Sequence, residues 1–122
     1  MADKLLIILM NTDPTNSALI SAPIKQARVA KAMDYEVEII LCGRAANLAR
    51  RGVAETLIMR EGEAETVYDL LKLACSEGVT VKAGRTALDV AASEMIDEID
   101  EVVGDAYLIS EAMDDDTVTL TY

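Results

Sequence analysis

The chain has 122 residues, 52% of them hydrophobic, with two cysteines and no Phe, Trp or His. That is enough for one compact domain with a core of Leu, Ile, Val, Ala and Met, and too apolar for disorder. The net charge is −11: residues 1–85 hold all 11 basic residues and 11 acids, and residues 86–122 hold the other 11 acids with no Lys or Arg, which argues against nucleic-acid binding.

The lack of histidine also removes Ser/His and Cys/His nucleophilic pairs and the usual zinc sites, so no metal and no cofactor is expected. The longest apolar run, Leu5 to Met10, is too short to span a bilayer or to serve as a secretory signal. A cytoplasmic location follows as an expectation, and in that compartment Cys42 and Cys75 are free thiols.

Lys4 to Met10 reads as a parallel strand covered on both faces. Asn11 to Asn16 is a polar loop at its end, rich in turn formers. A helix is expected from about Ser21 to Met33, with Pro23 in its first turn. Lys25, Arg28 and Lys31 recur every three residues as a basic stripe, and Ile24, Ala27 and Ala30 form the packing side. Glu36 to Cys42 is a second strand, with Val37, Ile39 and Leu41 on one face and Ile40 and Cys42 on the other. A short helix from Ala45 to Arg51 is expected to stop at Gly52. Val53 to Arg60 fits a brief strand or an inward-packing loop.

Glu63 to Ser76 has the strongest helical repeat, through Val67, Leu70, Leu71 and Ala74. Cys75 falls beside that stripe and reads as a buried packing residue. Val79 to Lys82 is a third strand. Ala87 to Ser93 is expected to be a short helix with Thr86 as its N-cap. Ile99 to Val103 fits a strand, although Ile96, Ile99 and Val103 also suit a helix. Asp105 to Met113 is expected to be helical, Asp114–Asp116 a turn, and Thr117 to Thr121 the last strand. The alternation predicts one domain over 1–122, an α/β sandwich with a mainly parallel five-stranded sheet.

Two turns repeat. Cys42-Gly43-Arg44-Ala45-Ala46 and Ala83-Gly84-Arg85-Thr86-Ala87 share Gly, Arg and the last Ala, and each follows a strand. In open parallel sheets ligands bind at the carboxyl ends of the strands. Backbone N–H groups at Gly43 and Gly84, with Arg44 and Arg85, suit a small oxyanion; Asn11 and Thr86 join the same edge. Alternatively the two arginines are surface side chains or pair with the acidic C-terminal third. Neither turn has phosphate-loop or dinucleotide spacing. Cys42 is the candidate nucleophile, because a cation and helix N–H groups favour thiolate; against this, a cysteine ending an apolar strand also serves as a small core residue. Asp13 and Asp34 read as turn residues.

Three features carry a family resemblance. They are the apolar first strand with its polar loop, Gly78-Val79-x-Val81 leading into a small-residue turn, and the ending Val103-Gly104-x-x-x-Leu108-x-x-x-Ala112 followed by an acidic turn and a strand closing on Tyr122. With the order of elements, they resemble the DsrE/DsrF-like family, which includes the sulfur-relay subunits called Tus. The resemblance implies a five-stranded sheet between helices, assembly as a homo-oligomer (trimer or hexamer) and a sulfur-relay partner protein. It also implies a persulfide-bearing cysteine at the end of the third main strand, followed three residues later by Ser or similar. That position falls on Ala83, with Thr86 at the Ser-like place; a slip of one residue puts it on Gly84. Neither is a thiol. The resemblance therefore implies a non-catalytic binding or assembly subunit. An active sulfurtransferase using Cys42, or a small-anion or nucleotide module on the same fold, are the alternatives.

Overall fold

Lys4–Leu9 (β1), Glu36–Leu41 (β2), Thr80–Gly84 (β3), Ile99–Val103 (β4) and Thr117–Thr121 (β5) form one sheet. Every pairing is parallel, in the order β4-β3-β2-β1-β5. The structure is a computed structural model and describes residues 3–59, 64–85 and 94–122. Among the described residues, three α-helices flank the sheet: Ser17–Ala32 (α1), Val67–Ser76 (α2) and Asp105–Ala112 (α3).

The period-two alternation of the strands sorts the core into two layers. Ile7, Leu9, Val37, Ile39, Leu41, Val81 and Ala83 pack with α1, α2 and a 3-10 segment at Gly43–Ala49 in the larger cluster. Leu6, Ile8, Ile40, Cys42 and Val103 form a smaller cluster, against which Tyr107, Leu108 and Ala112 of α3 pack. Chain direction explains the division. From β1 to β4 the chain moves steadily toward one sheet edge. To reach β5 it must go back past β1, and a right-handed crossover in that reversed direction passes over the opposite face. So α3 lies alone, among the described helices, on the side away from α1 and α2. It begins at the carboxyl end of β4, which sets its N-terminus at the edge where the site lies.

Several boundaries differ from the expectation. Helix α1 begins at Ser17, not near Ser21, because the Asn16 side chain accepts a hydrogen bond from the Leu19 N–H at 3.2 Å and caps it. Pro23 thus sits inside the helix, where it is buried. Helix α2 begins at Val67, not Glu63: Thr66 and Asp69 form a reciprocal capping box, and Ala64 and Glu65 are not helical. The short helix expected over 45–51 is instead the 3-10 segment Gly43–Ala49. Ile58 makes an isolated antiparallel bridge to Thr66, while Leu57 and Met59 pack inward. Asp13 and Asp34 are turn residues, as read: the Asp13 carboxylate accepts from the Thr15 N–H and hydroxyl, and Asp34 takes φ +68°. The expected helix over 87–93, its cap Thr86 and residues 60–63 lie outside the described residues.

Candidate functional site

β1, β2 and β3 end side by side, and α3 starts beside them. The backbone fixes this corner. The Cys42 N–H donates to the Leu9 carbonyl at 2.9 Å, and the Arg44 N–H donates to the Met10 carbonyl at 3.0 Å. Gly43 has φ +55°, and a Cβ there would sit 2.5 Å from the Met10 carbonyl oxygen, so only glycine lets β2 turn this close to β1. On the next strand, a Cβ at Gly84 would lie 2.8 Å from the Cβ of Cys42. The thiol-bearing side chain therefore occupies the space a residue at 84 would need.

Above these atoms is a cavity of about 210 Å³, bounded by Met10, Cys42, Gly43, Gly84, Asp105 and Leu108. Its wall, among the described residues, carries the Asp105 carboxylate and no lysine or arginine. Cys42 is 8% exposed. Burial pushes its thiol pKa up, and the charge of Asp105 adds to the shift. Both effects oppose the thiolate that Arg44 was expected to favour. Arg44 instead extends into solvent, 3.8 Å from Asp13, since its backbone faces the loop after β1.

The corner brings together Cys42, Gly43 and Gly84 and leaves the other expected residues elsewhere. Ala83 is fully buried in the larger cluster on the opposite side of the sheet, paired across the ladder with Leu41. One residue decides the face, because successive strand side chains alternate. Arg85 is exposed and reaches the Val102 carbonyl at 3.4 Å. Asn11 borders a separate cavity with Thr12, Leu19 and Tyr122. Thr86 lies outside the described residues. Cys75 is half-buried rather than buried, against the larger cluster, and burial with the nearby Glu98 carboxylate pushes its thiol up to about 11.

Beneath the cavity, on the α3 side, is a polar network the sequence reading passed over. Glu38 and Lys82 are 4% and 8% exposed. The Lys82 ammonium donates to the Tyr107 hydroxyl at 2.6 Å and lies 2.9 Å from Glu101 and 3.5 Å from Glu38. The Tyr107 hydroxyl donates to Glu38 at 2.8 Å, and Lys4 bridges Glu38 and Glu111 at 2.8 and 3.0 Å. Burial works against the charge of Lys82, but its hydrogen bonds to Tyr107 and Glu101 and the charge of Glu38 prevail and raise its pKa. A signal was present: Glu38 shares its face with Ile40 and Cys42, and a charge on an apolar face demands a partner.

No family model and no curated protein matches the chain. Solved structures do. The YchN protein from E. coli superposes with a TM-score of 0.74 at 18% identity, covering 100% of both chains. The protein MTH1491 from Methanobacterium thermoautotrophicum, described as of unknown function, superposes with a TM-score of 0.66 at 14% identity, again over 100% of both. At such identities the likeness is one of fold, and the fold is DsrE-like.

Proposed function

We propose that this DsrE-like chain serves in intracellular sulfur trafficking as a binding or assembly subunit, and not as the thiol that carries sulfur. The observation that supports this most is the state of the corner. Position 83 is an alanine packed in the core, position 84 is a glycine, and the one cysteine in the cavity wall is buried beside a carboxylate that disfavours its thiolate. Treatment with polysulfide or thiosulfate followed by intact-mass analysis tests it. The expected result is no labile sulfur on the native chain.

A second reading, a sulfur carrier using Cys42, is favoured by one fact: that side chain faces a cavity at the carboxyl edge of the sheet, where ligands bind in open parallel folds. It predicts a sulfur adduct on Cys42 that dithiothreitol removes and Cys42→Ser abolishes. In either reading the chain works as a closed homo-oligomer, a trimer or a pair of trimers. Exposed apolar side chains support this: Leu19 and Val29 on α1, Met33 at its C-cap, and Val118 and Leu120 on the edge strand β5. Light scattering at micromolar concentration and moderate salt should give more than one chain per particle; a strict monomer would defeat the assembly role. No described helix is long and apolar enough to cross a membrane.

A further inference from the structure

Helix α3 is attached to the sheet in an unusual way. It has eight residues and none is fully buried. Ile109 and the following Met113 point outward at 59% and 76% exposure. The apolar layer it covers is small. What reaches through that layer is polar. The Tyr107 hydroxyl lies between Lys82 and Glu38, two charged groups held almost out of solvent, and the Tyr107 ring lies 4.5 Å from the Lys82 ammonium. Glu111, one turn further along, accepts from Lys4. The residue next to Tyr107 is Leu108, which with Asp105 closes the cavity over Cys42.

We infer that α3 is a cover that opens over Cys42, latched by the Tyr107 hydroxyl on Glu38 and Lys82 and by the Glu111–Lys4 contact. An element with few buried apolar contacts opens at lower cost than the core. Besides the packing of Tyr107, Leu108 and Ala112 on that small layer, what must break is a few directional bonds, and the charged groups left behind keep other partners: Glu38 keeps Lys4, and Lys82 keeps Glu101. Opening then bares one thiol, on one side of the sheet. The inference concerns access to Cys42 and stands under either reading of function.

The test is the rate at which an aromatic disulfide reagent labels each cysteine in the native chain. Tyr107→Phe keeps the ring and removes the hydroxyl. Loss of hydrogen bonds to charged groups should speed labelling of Cys42 by about tenfold. Cys75, on the opposite side of the sheet, should label at its original rate. An unchanged Cys42 rate, or equal acceleration of both cysteines, would overturn the proposal, the latter because it reports global loosening. Hydrogen exchange on the unaltered chain decides the matter if Tyr107→Phe folds poorly. The opening equilibrium obtained from Cys42 labelling should match that of the α3 amides and exceed that of the β1 and β2 amides by about a hundredfold or more, since local opening precedes global unfolding. If Cys42 labels only as fast as the β1 and β2 amides exchange, α3 is not a cover.

Discussion

Gly84 and Cys42 should behave as a coupled pair, and the coupling has a definite chemical address. A Cβ at 84 would sit 2.8 Å from the Cβ of Cys42, with Cys42 Cα at 3.5 Å and the Leu41 carbonyl oxygen at 3.6 Å. Ordinary contact begins near 3.4 Å, so the two strand ends must part by roughly half an ångström. Gly84 ends β3 and Cys42 directly follows β2, just past the last paired residues Leu41 and Ala83, where backbone yields little. Gly84→Ala should therefore cost about 1–3 kcal/mol, the usual range for overpacking. With a urea slope of about 2 kcal/mol/M, the unfolding midpoint should fall by about 1 M. The clash is with the Cβ, not the sulfur. Cys42→Ala keeps that atom and should not relieve Gly84→Ala, whereas Cys42→Gly removes it and should. Cys42→Gly has its own cost of about 1 kcal/mol or more, so the quantity to read is the interaction in the double-mutant cycle, expected at about 1–2 kcal/mol in favour of the pair. Urea unfolding followed by circular dichroism gives all four corners. Additive costs in the Gly84→Ala/Cys42→Gly cycle, or full rescue by Cys42→Ala, would refute the steric argument.

Ala83→Cys should fold with a loss of about 1–3 kcal/mol and stay unreactive to sulfane sulfur, because position 83 is fully buried in the larger core; prompt persulfide formation at 83 would show that the face assignment is wrong. Stability should fall as pH rises from about 9 toward 11 through Cys75. Its folded thiol holds the proton up to about 11 while the unfolded thiol releases it near 9.0, so the folded state is favoured below the unfolded value and loses that advantage above it. Two pH units are at most ~2.7 kcal/mol, and partial exposure reduces this to about 1 kcal/mol. Cys75→Ala should flatten that part of the alkaline slope when urea midpoints are compared at either end of the window, and an unchanged slope counts against it. Thr66→Ala should cost about 1 kcal/mol by removing the cap of α2; a midpoint equal to that of the native chain would mean the capping box contributes nothing.

Sequence by itself determined the strands and their inward faces. The alternation of Val37, Ile39 and Leu41 against Ile40 and Cys42 reflects the period of the pleat, and the structure sorts them into two clusters along that line. The parallel α/β class followed from alternating elements, because a parallel strand needs a crossover to return. Element starts were less legible. Asn16 and Thr66 are both good caps, but the position of Pro23 and a helical repeat extended back to Glu63 pointed to other starting residues, and cap geometry is settled by which side chain reaches which N–H. Cys42, Gly43 and Gly84 were legible at the strand ends, and tertiary structure decided what else lines the site. Local spacing placed Arg44 and Arg85, and the family resemblance Ala83, at one edge, but one step of strand alternation puts Ala83 on the far face, and the turns leave Arg44 and Arg85 outside the cavity wall. Asp105 borders Cys42 because the chain reverses across the sheet and sets α3 on the side away from α1. Crossover handedness acts over whole elements, so no short stretch of residues records which carboxylate comes to lie beside which thiol.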